Sequence, residues 1–541
     1  MRYALVVIMG MALPIAVYAS GPTYGSIQEI RGSEFTLKVQ KLGEESRMFC
    51  STATLNCATV DPMFILSTTT PTSSLQDSVY NILPDGASWL TLSQDDRFVA
   101  YYVPTTAKRP TRTFGIVDTT NNHTYTNQEK NNVYWDLLSD GIRMFAFSPD
   151  STKLLYLSDK NGAQTLYQID LTTLQGKKFV SKRIISRQYT IMDFGFIDDS
   201  TIYFTANREN AYTWNLYSYR LGMRAPTQLG TQLSYNAPIK RVGDSLLFIK
   251  IEGNTALPQM YNAHTHTLSS FTLQGIQIEP APNVEIIKSA GLTGAYWPAD
   301  MATTTLVVWL HGGPYRQTAT GYHSYFSYAG YDWMLSELVA SGVPVLRLDY
   351  PGSLGYGRNF AESLRLHVGV KDVADSSRAI SLFAKAHGFK NVYLVGNSYG
   401  GYLAAKLLVE KPSQFKGALP IAGVWDWNWL TDELQTSIFN VQFGGLVSDK
   451  NQKIYDAASI VDHFDRLGTQ KIIIAHGDSD TDIPYIQSKA AYDMLRYLGL
   501  NATLLTFNNE DHIFVKKDSL ITLCQNLLLL VGESFTNHCA L

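Results

Sequence analysis

Two halves with different periodicity predict a two-domain chain, an N-terminal β-propeller followed by a C-terminal domain on a mostly parallel, doubly covered α/β sheet. From about residue 27 to 285, short Tyr/Phe/Ile/Val/Leu runs alternate with Asp/Asn/Gly/Ser turns, and no helix-length apolar stripe is obvious. From about 286 onward, strand-like runs alternate with helical ones, the pattern of βαβ units. The length, 541 residues, exceeds what one hydrophobic core fills.

Composition narrows the classes further. A chain that is 45% hydrophobic and 17% charged is not intrinsically disordered. With 44 basic against 47 acidic residues and no basic run, it lacks the charge of a phosphate-driven nucleic-acid binder. The first 19 residues read as a signal peptide: Arg2, an apolar stretch Ala4 to Ala16, then Val17-Tyr18-Ala19 as a small-residue cleavage site. The alternative is an uncleaved anchor, for which the run is short against the roughly 18 or more apolar residues of a span. The expected division is a signal peptide at 1–19, a propeller at 20–285 and an α/β domain at 286–541. The mature protein is expected to be soluble and exported, periplasmic or secreted. Four cysteines in an exported chain can pair, and their positions suggest Cys50 with Cys57 and Cys524 with Cys539.

The propeller expectation rests on a loose repeat. Leu92 to Asp96 precedes Phe98 to Tyr102, and Phe147 to Asp150 precedes Leu154 to Ser158. Phe196 to Asp199 then precedes Ile202 to Phe204, and Val242 to Asp244 precedes Leu246 to Ile249. The aspartates stand roughly 45 to 55 residues apart, one four-stranded blade per repeat, which gives five to seven blades. A pair of β-sandwiches is the alternative. His264-Thr265-His266 reads as surface rather than metal-binding, and no cofactor is implied.

In the C-terminal half, strand Val392 to Val395 runs into Gly396-Asn397-Ser398-Tyr399-Gly400 and then a helix. G-x-S-x-G between strand and helix is a sharp turn that presents a serine hydroxyl, so Ser398 is the candidate nucleophile. Serine needs a base, and the base an orienting carboxylate; in α/β-hydrolases acid and then His follow the serine. His512, in the polar loop Asn508 to His512 after the last predicted strand, is the candidate base. Asp478, Asp480 and Asp482 compete for the acid, and spacing does not choose among them. Upstream, strand Leu306 to Leu310 empties into His311-Gly312-Gly313-Pro314. The backbone N–H groups of Gly312 or Gly313, with that of Tyr399, would form an oxyanion hole.

These stretches resemble the prolyl oligopeptidase family of serine peptidases, especially its acylaminoacyl-peptidase and dipeptidyl-peptidase-like branches. The resemblance is carried by His311 to Pro314, Asp349 to Gly357, Gly396 to Tyr402, Val424 to Trp427, His476 to Pro484 and Glu510 to His512. It implies an α/β-hydrolase peptidase domain in which Asp480 is the acid, Ser398 the nucleophile and His512 the base. It also implies that Tyr399, Val424, Trp427, Leu430 and Ile483 line the pocket for the residue before the scissile bond, favouring proline or another apolar residue. Core packing is the alternative for Val424, Leu430 and Ile483. His311 stands where some branches carry an oxyanion-binding tyrosine, and Pro351 where many carry arginine. Asp482 replaces an Arg or Asn that often holds a substrate carbonyl, so an acidic group could attract a free α-amine instead. Glu44-Glu45 does not match the glutamate pair that grips an N-terminus in dipeptidyl peptidases. The expected partners are short peptides, with the propeller limiting access to the active site. A carboxylesterase of the same fold and an inert propeller-based binding protein are the competing functions.

Overall fold

The computed structural model describes residues 83–541 apart from 85–86, 104–110, 131–143, 187–188, 209–210, 212–213, 234–238, 243, 253–254, 271–282, 319–325, 431–441, 533–537 and 540–541; before 83 it describes only short strand segments. Two of those segments, Tyr3–Ile8 and Met11–Tyr18, pair antiparallel within the expected leader. Cys50, Cys57, Glu44 and Glu45 lie outside the described residues. The chain divides into two compact units, Arg2–Ala281 with Ser324–Phe326, and another made chiefly of Pro282–His323 and Ser327–Leu541.

The first unit is built from antiparallel meanders. Ser88–Leu92, Phe98–Val103, Thr111–Asp118 and His123–Lys130 form one four-stranded sheet, and Phe145–Phe147, Lys153–Ser158, Thr165–Asp170 and Ser181–Arg183 form the next. Thr190–Phe196, Thr201–Asn207, Trp214–Arg220 and Thr227–Leu233 repeat the pattern. The last of these joins Ser245–Glu252 through one pair, Leu233 with Lys250, so two meanders share one sheet. The aspartate turns seen in the sequence close the first hairpin of the first three repeats. Asp95 accepts from the Ser93 hydroxyl at 2.6 Å, Asp150 from the Ser148 hydroxyl at 2.5 Å and Asp198 from the Ser200 N–H at 2.7 Å.

These turns also touch one another. The Asp95 N–H donates to Ser151 Oγ at 3.3 Å and the Asp150 N–H to Asp199 Oδ1 at 2.7 Å, so three repeats are stitched turn to turn. Deeper in, Arg112 of the first sheet donates to Asp159 at the edge of the second at 2.7 Å, and to Glu129 at 2.9 Å. Among the described residues the sheets do not close into a ring.

The second unit holds one eight-stranded sheet. Its strands are β1 Glu285–Ser289, β2 Leu292–Trp297, β3 Thr305–Leu310, β4 Val345–Asp349, β5 Asn391–Asn397, β6 Gly417–Ile421, β7 Lys471–Gly477 and β8 Ala502–Phe507. Their order is β1-β2-β4-β3-β5-β6-β7-β8, with β2 antiparallel to both neighbours and β3 to β8 parallel. The β1–β2 hairpin is not evident from the sequence because β1 is an exposed edge of mixed polarity. The central strands β3, β4 and β6 are buried along their whole length, as parallel strands covered on both faces must be.

Helices α1 Phe326–Ala340, α2 Lys371–His387, α3 Tyr399–Glu410, α4 Ile486–Tyr497 and α5 Lys517–Val531 supply that cover. Helix α2 buries Val373, Ile380 and Phe383, and ends where Gly388, at φ 77°, lets its N–H return to the carbonyls of Ala384 and Lys385. Cys524 of α5 is bonded to Cys539, with both residues buried. In the chain-entropy account, a loop of this length stabilises by about 3 kcal/mol. In such a sheet, ligands bind beyond the carboxyl ends of the parallel strands, and there the candidate residues meet.

Candidate active site

Strand β5 leaves the sheet through Ser398, which sits at φ 58° and ψ −121° before α3 begins at Tyr399. A non-glycine residue in that region is strained, and it persists here because its neighbours fix it. The Ser398 N–H donates to the Ile421 carbonyl at 2.8 Å, and the Ser398 carbonyl accepts from Tyr402 N–H at 2.9 Å. The flanking glycines are required by contact. A Cβ on Gly396 would lie 2.5 Å from the Leu310 carbonyl oxygen, and one on Gly400 only 1.9 Å from it. Ser398 is half-buried, while its neighbours on both sides are buried.

Strand β7 delivers Asp480 and the loop after β8 delivers His512. Their side chains meet, with His512 Nδ1 at 2.9 Å from Asp480 Oδ2 and 3.1 Å from Oδ1. Of the three competing aspartates, only Asp480 has a fully buried side chain that faces His512. Asp478 accepts from Asn509 N–H at 2.6 Å, and Asp482 is exposed. Asp480 Oδ1 also accepts the backbone N–H groups of Asp482 and Ile483 at 2.9 and 2.8 Å.

Burial alone would raise the Asp480 carboxyl. Hydrogen bonds from His476 and His512, the His512 charge and the Ile483 N–H instead hold it well below its usual 3.8. For His512, burial opposes the imidazolium, but the Asp480 hydrogen bond and charge, with Asp482 and Asp511 nearby, raise it above 6.5.

Two residues missed in the sequence hold the His512 loop. Glu510, buried, accepts from the N–H groups of Val515 and Lys516 at 3.1 and 2.9 Å and so closes the loop on itself. Asn397, beside Ser398, donates to the His512 carbonyl at 3.4 Å and to the Tyr331 hydroxyl at 3.3 Å. The nucleophile turn and the base loop are thereby tied together. Both lie in stretches that carry the resemblance, but their roles rest on contacts more than 60 or fewer than 10 residues away with no fixed spacing.

The oxyanion candidates occupy the end of β3 and the start of α3. Tyr399 is the first residue of its helix, so its N–H has no partner within the helix. Gly312 is buried and Gly313, at φ 120°, partly buried in the facing turn. His311 turns inward. Its Nδ1 lies 2.8 Å from the Gly312 carbonyl, its Nε2 2.8 Å from Ser353 Oγ, and its ring stacks on Tyr350 at 4.4 Å. Burial pushes its pKa down to about 3, so the ring is neutral.

The five residues matched to a substrate pocket all sit in the main hydrophobic cluster. Val424, Trp427 and Leu430 are each 2% exposed and Ile483 is 8% exposed. The Tyr399 ring is fixed at its hydroxyl end. Its hydroxyl donates to buried Asp372 at 2.6 Å, and it packs between Tyr350 and Tyr402. The Asp372 carboxyl is pushed up to about 6 by burial, with the Tyr399 hydrogen bond opposing. At Pro351 the chain stays buried, and neighbouring Asp349 is held by Thr318 N–H at 2.8 Å and the Tyr356 hydroxyl at 2.7 Å.

Comparison with known proteins agrees with this arrangement. Residues 329–537 match the model of the prolyl oligopeptidase family, and residues 86–238 match the dipeptidyl peptidase IV N-terminal region. Dipeptidyl-peptidase 5 of Schizosaccharomyces pombe is 27% identical over 222 residues, 40% of this chain and 31% of that protein. The inactive dipeptidyl peptidase 10 of Mus musculus is 26% identical over 183 residues, 34% of this chain and 22% of that protein. The chain spans less than two fifths of the length of the curated relatives it matches. A crystal structure of puromycin hydrolase shares the fold, with TM-score 0.66 and 16% identity over 82% of this chain and 68% of that one. The chain therefore resembles the prolyl oligopeptidase family over residues 329–537, preceded by a stretch, 86–238, that resembles the dipeptidyl peptidase IV N-terminal region.

Proposed function

We propose that this protein is an exported serine peptidase that hydrolyses short peptides through an acyl-enzyme, with proline or another apolar residue before the scissile bond. The observation that carries the reading is the Asp480–His512 pair, tied by Asn397 to the strained turn that presents Ser398. In this reading His512 takes the Ser398 proton as the hydroxyl attacks the carbonyl carbon. The N–H of Tyr399 and the Gly312–Gly313 turn face the oxyanion, and the proton passes to the leaving amine. Water then attacks the ester, His512 again acting as base, and the peptide acid leaves. The stitched meanders support a propeller for the N-terminal half. The Cys524–Cys539 bond and the leader-like first residues support export.

A fluorophosphonate probe separates this reading from an inert binding protein; one relative is named as inactive. The folded protein should be labelled once and the Ser398→Ala variant not at all. Unlabelled folded wild type would overturn the peptidase reading. Turnover of simple esters with no cleavage of aminoacyl or prolyl amides would replace it with an esterase.

Asp482, exposed beside the His512 loop, is proposed to attract the free α-amine of the substrate. Paired peptides with free and blocked N-termini test this. Asp482→Asn should weaken kcat/KM for the free form by about threefold to tenfold, the range of a partly exposed charge contact, and leave the blocked form unchanged. Equal effects on both peptides would remove the amine role.

A further inference from the structure

The acid of the candidate triad has a second histidine on it. His476, at the end of β7, is fully buried, and its Nε2 lies 3.0 Å from Asp480 Oδ2, the oxygen nearest His512. The same Nε2 lies 2.9 Å from the Ile483 carbonyl, and Nδ1 lies 2.6 Å from Ser488 Oγ.

Donor inventory fixes the proton on Nε2. A carboxylate and a carbonyl only accept, so Nε2 carries the hydrogen. Ser488 Oγ receives the Trp425 indole N–H at 3.2 Å and lies against Nδ1 on its other side. The outcome is an ordered chain, Trp425 to Ser488 to His476 to Asp480 to His512. Every side chain in it is buried or nearly so. At its far end, Gln487 anchors the same loop, its Oε1 accepting the N–H groups of Trp425 and Asp426 at 2.9 Å each.

We infer that His476 is a positioning residue for the reaction: a donor that sets the rotation of the Asp480 carboxylate and shares its charge with His512. The inference rests on the proposed triad. Without that donor the carboxylate keeps the Asp482 and Ile483 N–H groups on Oδ1, and His512 becomes the one side chain left to set its rotation about the Cβ–Cγ bond. Its charge also falls more fully on the His512 imidazolium, which faces Asp480, Asp482 and Asp511.

Two polar replacements of similar bulk separate positioning from mere packing. In His476→Gln the side-chain amide reaches the place of Nε2 and donates to Asp480. In His476→Asn it reaches only the place of Nδ1, against Ser488. Turnover of an aminoacyl amide should stay within about threefold of wild type for Gln. For Asn, kcat should fall by about tenfold to a hundredfold, the loss of one hydrogen bond to a charge, with KM little changed. The acid limb of kcat/KM should move to higher pH in the Asn variant only, because a carboxylate with one donor fewer holds the imidazolium proton harder.

Thermal midpoints report folding of both variants. Equal kcat and an unmoved limb in the two variants would overturn the inference. Asp480→Asn and His512→Ala are measured alongside. If they are inactive while the Asn variant at 476 matches wild type, His476 alone loses its role. If they keep wild-type turnover, the triad reading fails and the inference fails with it.

Discussion

Asp480→Asn is expected to lower kcat for amide substrates by about 10⁴-fold while the protein stays folded. The carboxylate accepts from four directions: the N–H groups of Asp482 and Ile483, Nε2 of His476 and Nδ1 of His512. An asparagine cannot. Its amide must turn an NH₂ toward one pair of donors, and the backbone N–H groups cannot yield. The NH₂ therefore faces the histidines and forces His512 into the tautomer that cannot accept the serine proton.

The pH profile carries a second signature. A base acts when neutral, and Asp480 raises the His512 pKa, so the acid limb of kcat/KM in wild type should lie above 6.5. In Asp480→Asn the residual activity should show that limb at lower pH. Stability moves the other way for the two partners. His512, with its pKa raised on folding, adds stability fully present below 6.5 and lost as pH rises through the folded value. Asp480, depressed, adds stability present above 3.8 and lost as pH falls toward its folded value. A thermal midpoint that does not decline on acidification below about pH 4 would contradict the pairing.

Gly400→Ala should be the most damaging small substitution in the catalytic half. The added methyl would sit 1.9 Å from the Leu310 carbonyl oxygen and 2.6 Å from that of His311. Both are backbone atoms at the end of β3, which is paired on one side with β4 and on the other with β5. No rotamer can give way, so strand and helix must part, at a cost on the order of 3–5 kcal/mol. Soluble yield and fluorophosphonate labelling should both collapse. Gly468→Ala is the matched control. Its Cβ would meet nothing closer than Gln470 Oε1 at 3.7 Å, and the midpoint should barely move. Labelled, wild-type-like Gly400→Ala would mean the turn is not built as described.

What could be read from the sequence follows from how local its cause is. The Ser398 turn was legible because its geometry is dictated within five residues, by glycines that contact backbone. His512 was legible by its place after the last strand. The acid was not, since Asp478, Asp480 and Asp482 share one loop, and only burial and two backbone donors distinguish Asp480. Tyr399 has a contact of the same unmarked kind. Motif position gave its N–H a role, but its ring answers to Asp372, 27 residues upstream. His476 stood in plain view as part of a motif, yet its hydrogen-bond partners across α4 carry no sequence mark. In the N-terminal half the aspartate turns set the strand pairs. The merged sheet at Leu233 and Lys250 departs from the even repeat in a way no periodicity foretells.

The Gln487 contact has a consequence for how such an enzyme can diversify. Consecutive residues on one turn of α4 hold two loops at once: Gln487 the 425–426 backbone and Ser488 the histidine behind the triad acid. The Gln487 bonds are made to backbone N–H groups, so they do not call for particular side chains at 424, 427 and 430. An insertion or deletion between Ala422 and Asp426 would break them, because it would slide the backbone off Gln487 and pull Trp425 from Ser488. New specificities on this scaffold should therefore arise by residue replacement rather than by change of loop length at this edge of the sheet.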